Sequence, residues 1–290
     1  MIESASRSPV LQILKHASQT LLAAGCDTPR LDAEVLLAHV LGQTRAWLYA
    51  HPEHVPSSSQ LSTYQSLLSR RSEREPVAYL IGHKEFFGLE FMVTPDVLIP
   101  RPETERLIEL ALQWAATSPS LRTIADVGTG SGAIAVALAV HLPQVRVMAI
   151  DNSPAALATA QRNARRHGVA DRVHVLQGHL MAPLARTLHL IVANPPYLSQ
   201  AELATAPPEV ARWEPRAALD GGPDGLAIMR HLLPMASDRL LPGGVLLVEI
   251  GASQGARVLT LARGLFPRAS VEIAQDYANR DRLLFVRHAQ

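Results

Sequence analysis

Apolar and polar positions change their rhythm once along the chain. Up to about residue 80 the apolar residues recur three and four apart, which predicts helices. In "TPRLDAEVLLAHVLG" Thr28 is placed to cap, Pro29 to open and Gly42 to close a helix. Its predicted inner face runs through Leu31, Val35 and Ala38, widened by Leu36, Leu37, Val40 and Leu41. A second helix is predicted over Leu61–Arg74, ending before Pro76, with "HPEHVPSSSQ" as a loop ahead of it. The first strand signal comes at Phe86, where "EFFGLEFMVTPDVLIPRPETE" alternates around turn residues and predicts a hairpin. "ETERLIELALQWAA" then returns to helical spacing.

From residue 122 short apolar runs alternate with helical segments. "RTIADVG", "VRVMAID", "RVHVLQGH", "LHLIVA", "GVLLVEIG", "SVEIAQDY" and "RLLFVRHA" are predicted strands. "GAIAVALAVHL", "SPAALATAQRNARRHG", Leu226–Leu240 and Ser253–Phe266 are predicted helices, the second capped by Ser153. Such alternation predicts an α/β fold with a mostly parallel, doubly wound sheet. The expected division is a helical domain over residues 1–83 and an α/β domain over 84–290. Ligands of such sheets bind beyond the carboxyl ends of the strands.

Composition narrows the function classes. The chain has 290 residues, 48% of them apolar, and a net charge of +1. So weak a basic field argues against a protein that grips long nucleic acid. One cysteine, Cys26, excludes an internal disulfide framework and a cysteine-rich zinc site. The longest apolar run in the middle of the chain, Ala133–Val140, is too short to span a bilayer, and "MIESASRSPVLQ" lacks a signal-peptide core. The expectation is a cytoplasmic protein without membrane contact.

Two stretches carry candidate chemistry. "DVGTGSG" follows a predicted strand and opens a helix. Gly128, Gly130 and Gly132 allow close approach of backbone to ligand, and Thr129 and Ser131 lie between them. Asp151, nineteen residues after Gly132, ends the next strand, where a carboxylate can accept both hydroxyls of a ribose. The glycines are spaced G-x-G-x-G rather than G-x-G-x-x-G, which favours a nucleoside without a pyrophosphate, with S-adenosylmethionine the leading candidate. A tight turn with a helix cap is the plainer alternative.

The second stretch is "NPPY". Asn194 offers a side-chain oxygen and Pro195 a backbone carbonyl, two acceptors matched to the two hydrogens of a planar NH₂ group. Fixing that plane aims a delocalised, poorly nucleophilic nitrogen for in-line displacement. Pro196 stiffens the turn, and Tyr197 offers a flat face for the planar group. A strand-ending turn is the alternative. Arg101, Glu103 and Glu105 are read either as site residues or as a helix-start charge cluster. Glu249 is read either as a site-wall carboxylate or as an arginine's partner. Trp213 and Arg216 are read as loop braces.

Taken together, "PRLDAEVLLAHVLG", "REPVAYLIGHKEFFGLEFMVTPDVLIPRPETE", "DVGTGSGAIAVALA", "NPPYLS", "WEPRAALDGGPDGL", "LLVEIGASQG" and "YANRDRLL" make the chain resemble, nearly end to end, the HemK/PrmC family of peptide chain release factor glutamine methyltransferases. The resemblance implies a helical N-terminal domain that docks substrate and a class I methyltransferase domain using S-adenosyl-L-methionine. The implied reaction methylates the side-chain amide of the Gly-Gly-Gln glutamine in class I release factors, with no direct nucleic-acid or membrane partner. Gly128 to Gly132 and Asp151 match the family's cofactor motif, and Asn194 to Tyr197 its catalytic clamp. Family members commonly carry Gly-Asp and an aromatic after the third strand. Here stand Gly178, His179 and Leu180, so His179 or Leu180 is expected against the adenine. A ribosomal-protein glutamine methyltransferase, an amino-group DNA methyltransferase and a non-catalytic S-adenosylmethionine-binding protein remain as alternatives.

Overall fold

The computed structural model describes residues 8–184 and 188–289. They form two compact units, one of residues up to Gly82 together with Pro208–Trp213, the other of His83–Pro207 and Glu214 onward. The inclusion of 208–213 in the first unit departs from the single break expected from sequence.

The first unit is helical: α1 (Val10–Ala23), α2 (Pro29–Leu41), α3 (Arg45–Ala50), α4 (Ser58–Ser72) and α5 (Val77–Ile81), joined by α10 (Pro208–Trp213). Its core gathers Val10, Leu14, Ala17, Leu21, Leu36, Leu37, Leu48, Tyr64, Leu67 and Leu80. Three local expectations are corrected. Thr28 makes no side-chain cap bond, because its hydroxyl donates to Asp32 Oδ1 at 2.7 Å. The inner face of α2 is Ala33, Leu36, Leu37 and the predicted Ala38, while Leu31 is exposed. Helix α4 starts earlier than predicted, inside the apparent loop, through a reciprocal capping box of Ser57 and Gln60.

That rotation of α2 puts Asp32 and Glu34 inside, and both are paired, as buried charges must be. Arg71 Nε donates to Asp32 at 2.8 Å, and Glu34 accepts from Arg45 at 2.8 Å and Tyr49 at 2.6 Å. Glu209 on α10 accepts from Arg71 at 3.0 Å and from Arg74 at 2.6 Å, which ties that segment to α4.

The second unit opens with the predicted hairpin, β1 (His83–Phe86) and β2 (Leu89–Met92), its first strand starting three residues before the expected Phe86. Helix α6 (Pro102–Ala116) follows. The alternation then runs β3 (Thr123–Val127), α7 (Ala133–His141), β4 (Arg146–Asp151), α8 (Pro154–Arg166), β5 (Val173–Gln177) and β6 (Leu188–Ala193). After the short α9 (Gln200–Ala204) come α11 (Ala227–Arg239), β7 (Leu240–Glu249), α12 (Gly255–Leu265), β8 (Ser270–Gln275) and β9 (Asp281–Arg287). The seven-stranded sheet has the order β5-β4-β3-β6-β7-β9-β8. Strands β5 to β7 pair in parallel, and β9 runs antiparallel to both its neighbours. The fold is thus the mostly parallel, doubly wound sheet expected from sequence.

Successive strand residues face opposite sides of the sheet, which explains why the strands read as unbroken apolar runs. Ile124, Val147, Leu190, Val192 and Leu247 pack with α6 and α7. Ala125, Ile150, Ile191, Ala193 and Val248 pack with α11 and α12. Helix α7 is buried from Ala133 to Ala139, as an all-apolar helix must be. Among the described residues no helix is long and apolar enough to cross a membrane.

Candidate active site

The carboxyl ends of β3, β4 and β6 open onto one cavity. Its wall includes Gly128, Thr129, Gly130 and Ser131 after β3, and Asp151 at the end of β4. Gly178, His179 and Leu180 after β5, and Asn194, Pro195 and Pro196 after β6, complete that side. Phe86, Val97, Arg101 and Thr104 face it from the hairpin, the segment that follows it and the start of α6.

The glycine loop takes its shape from three positive φ angles, +76° at Gly128, +55° at Gly130 and +80° at Gly132. A Cβ at Gly128 or Gly130 would meet nothing within 4 Å, so the backbone there faces open space. At Gly132 it would lie 3.0 Å from Ala160 Cα, so this third glycine serves the packing of α7 against α8. Asp126, buried at the end of β3, accepts from Thr129 Oγ1 at 2.6 Å and from the Ala135 N–H at 3.1 Å. Burial pushes its carboxyl up to about 7. Asp151 accepts from the N–H of Gly130 and that of Ser153, both at 2.9 Å.

His179 and Leu180 both line the cavity, and Leu180 holds a left-handed φ of +50°. Asn163 of α8, fully buried, was not singled out in the sequence. Its carboxamide donates to Ser131 O at 2.8 Å and Met92 O at 3.0 Å and accepts from Met92 N–H at 2.8 Å. It ties the glycine loop to the hairpin. The signal was present: Asn163 falls on the stripe of Ala156, Ala160 and Ala164, where a polar side chain needs a partner.

The Asn-Pro-Pro-Tyr turn is held at both ends. Asn194 Nδ2 donates to Thr104 Oγ1 at 3.1 Å. Among the described residues no donor engages Asn194 Oδ1 or the Pro195 carbonyl. Tyr197 is not part of the cavity wall; its hydroxyl donates to Glu249 Oε1 at 3.3 Å. Its carbonyl accepts from Gln254 Nε2 at 2.8 Å, and Gln254 also donates to Gly225 O at 3.2 Å. Next along, Leu198 bonds with Leu219 and Gly221 at 3.0 and 2.8 Å, so the "DGGPDG" stretch braces the turn from behind. A Cβ at Gly225 would stand 2.4 Å from Tyr197 O, so only glycine permits this approach.

The three acidic-basic residues of "RPETE" separate. Arg101 reaches the cavity and is paired with the buried Glu214. Glu105 accepts the Phe87 N–H at 3.0 Å and so anchors the hairpin, while Thr104, unremarked between the two glutamates, meets Asn194. Among the described residues Glu249 is held by hydroxyls rather than by a direct arginine bond: Thr104 Oγ1 donates to it at 2.6 Å. Arg216 pairs with Asp220 at 3.1 Å.

Comparison with known proteins accords with this layout. Residues 12–82 match the family model of the PrmC N-terminal domain, and residues 109–209 that of the methyltransferase small domain. A release factor glutamine methyltransferase of Moorella thermoacetica is 48% identical over 272 residues, covering 93% of this chain and 95% of that protein. Among solved structures, the hMettl16 catalytic domain in complex with a MAT2A 3'UTR hairpin aligns with a TM-score of 0.56 at 16% identity, over 80% of this chain and 82% of that one. The Thermus thermophilus 16S rRNA N2 G1207 methyltransferase, in complex with AdoMet and guanosine, aligns at 0.50 and 18%, over 71% of this chain and 49% of that one. The two structures share the fold. The sequence relationship over nearly the whole length goes further: this chain belongs to the release factor glutamine methyltransferase family.

Proposed function

We propose that the chain methylates the side-chain amide nitrogen of the Gly-Gly-Gln glutamine in class I peptide chain release factors, using S-adenosyl-L-methionine. The observation that carries this reading is the pair of acceptors, Asn194 Oδ1 and Pro195 O, without donors among the described residues and on the wall of the same cavity as the glycine loop and Asp151.

The residues present suit the cofactor. Gly128 and Gly130 leave their backbone open to close approach, and each Asp151 oxygen keeps a lone pair after accepting one backbone N–H. Asp151 is assigned to the ribose hydroxyls, Gly128 to Gly132 with Thr129 and Ser131 to the loop around the nucleoside, and His179 and Leu180 to the adenine side. Bound S-adenosylmethionine supplies an electrophilic methyl on a sulfonium leaving group.

The chain's own work is orientation. Asn194 Oδ1 and the Pro195 carbonyl accept the two N–H bonds of the glutamine amide and hold its plane. With S-adenosylmethionine bound, the held plane would aim the nitrogen for in-line displacement, and the proton would pass to solvent once the nitrogen is cationic, so no strong base is needed before attack. Pro196 keeps the turn rigid. Tyr197, outside the cavity wall, is assigned to holding the turn from behind, through its hydroxyl on Glu249 and its carbonyl on Gln254.

One side chain in a clamp cannot distinguish one protein's glutamine from another's. Selectivity then comes from remote contacts, whose binding energy also offsets the ordering of the substrate loop. Residues 1–83 are assigned that docking role, and residues 84–290 the methyl transfer. The partner is a protein in the cytoplasm, with no direct nucleic-acid or membrane contact. The test is mass spectrometry of a release factor after incubation with the chain and S-adenosylmethionine. One added methyl on the Gly-Gly-Gln peptide is expected; an unmodified glutamine overturns the reading.

A further inference from the structure

The inner end of β7 carries a carboxylate that this chemistry leaves unused. Glu249 is 1% exposed, yet it bears two donated hydroxyls, Thr104 Oγ1 at 2.6 Å and Tyr197 Oη at 3.3 Å. Thr104 is itself buried and stands between Glu249 and Asn194, 3.1 Å from the Asn194 Nδ2. The order of donors along this row has only one solution. A hydroxyl has a single proton, and an ionised carboxylate can only accept. Thr104 therefore gives its proton to Glu249 and turns lone pairs toward Asn194. Asn194 must answer with its NH₂ end, which leaves its oxygen for the cavity.

We infer that Thr104 and Glu249 are positioning residues that decide which end of the Asn194 carboxamide meets the substrate amide. The inference rests on the glutamine-clamp reading above. Without such a row the two ends of a carboxamide are nearly the same in shape, and nothing steric prefers one. With the NH₂ end turned out, donor would face donor and the clamp would repel its substrate.

The row can be reversed by one proton. A protonated Glu249 donates to Thr104, Thr104 then directs its own proton at Asn194, and the carboxamide turns over to accept it. The groups facing Glu249 are Thr104 and, by its charge, Glu103 from α6, Tyr197 from the turn after β6, and Arg282 from β9. Burial is the largest influence on the Glu249 carboxyl, which stands at about 7 when all of them are combined. Thr104, Arg282 and Tyr197 lower it, and Glu103 raises it. Tyr197 stays a donor throughout, because burial and the charge of Glu249 push its phenol well above the usual range. The competent orientation thus belongs to the ionised carboxylate, and the reversal falls where a pH profile reads it.

The test compares full-length wild type, T104S, T104V and E249Q on a full-length release factor, with kcat measured from about pH 5.5 to about pH 9. For wild type kcat is expected to fall on the acid side of about 7. T104V should lose ~10-fold or more in kcat, the loss of one contact that orients a transition-state group, at unchanged S-adenosylmethionine affinity. T104S keeps the hydroxyl and restores the rate. E249Q cannot titrate, so its kcat, whatever its level, should lose the acid limb. T104V at wild-type kcat, or an acid limb that persists in E249Q, overturns the inference. A second measurement needs no turnover and is made on the wild type, N194A serving only to assign the signal. The side-chain ¹⁵N resonance of Asn194, identified by its loss in N194A, should titrate with the same midpoint in wild type, and a resonance indifferent to pH overturns the inference. A wild type that leaves the release factor unmethylated refutes the glutamine reading instead, while the resonance still judges the orientation.

Discussion

Asp151 Oδ2 accepts the backbone N–H of Gly130 at 2.9 Å, so the carboxylate ending β4 also braces the glycine loop that follows β3. The brace and the proposed ribose contact share one side chain. Asp151→Ala should therefore weaken S-adenosylmethionine binding twice over, through the lost acceptor and through a looser loop. The expected loss is at least ~1.5–3 kcal/mol, a Kd raised ~10-fold or more. Calorimetry on a variant shown by thermal scan to be folded measures it, and an unchanged Kd sinks the ribose assignment.

Asn194→Ala separates chemistry from cofactor binding. Turnover should drop by ~10²-fold, as for removal of one preorganised transition-state contact. Cofactor affinity should hardly move, because the clamp addresses the substrate. Single-turnover methylation paired with calorimetry checks both halves. A variant that methylates at the wild-type rate ends the clamp reading.

Two glycines of one loop should fail in different ways. Gly132→Ala forces a side chain into φ +80° and places its Cβ 3.0 Å from the Ala160 backbone. Left-handed strain of ~1–2 kcal/mol adds to overpacking of ~1–3 kcal/mol, so stability falls. Gly130→Ala meets nothing within 4 Å and pays only the strain at φ +55°, but its methyl stands on the cavity wall. It should lose cofactor affinity more than stability. Denaturant midpoints and calorimetry on the two variants give the comparison, and the opposite ordering contradicts the roles assigned to them.

The buried Glu249 has a consequence for stability whose sign can be worked out. Its folded value of about 7 lies above the ordinary 4.5, so the native chain holds the proton more tightly than the unfolded one. Below the unfolded value both states are protonated and the group contributes nothing. Between the two values the unfolded chain has released its proton and the native one has not, so stability falls as pH rises. Above the folded value the loss is complete, on the order of 3 kcal/mol at most. Glu249→Gln cannot titrate. Its unfolding free energy relative to wild type should climb between those two pH values and level off beyond them. Denaturant unfolding across that range is the measurement; a difference that stays flat rejects burial as the cause of the shift.

Removing the helical unit tests the docking role. A chain beginning near residue 85, if folded, should keep S-adenosylmethionine binding and methylate a full-length release factor far less efficiently. A short Gly-Gly-Gln peptide, poorly held to begin with, should lose little more. Rates on both substrates decide the matter: equal losses indicate a structural brace, and no loss on either removes the docking role.

Local sequence determined the order of elements in the second unit, because hydrophobic period and glycine or proline boundaries are properties of neighbours in the chain. The strands Thr123–Val127 and Leu188–Ala193 were legible as apolar runs, and the glycine loop, Asp151 and Asn194 as chemistry placed at strand ends. Tertiary structure alone decided what depends on pairing across the chain. Leu31 lost its predicted inward place because α2 turns Asp32 and Glu34 inward, toward Arg71 and Arg45, and no periodicity records a partner 39 or 11 residues away. Glu209 likewise joined the helical unit through Arg71 and Arg74, more than a hundred positions earlier. Thr104 read as one more polar residue at a helix start until folding set its hydroxyl between Asn194 and Glu249, 90 and 145 residues further on. A hydrogen bond acts over about 3 Å and is blind to separation along the chain, so these contacts exist only once the backbone has closed.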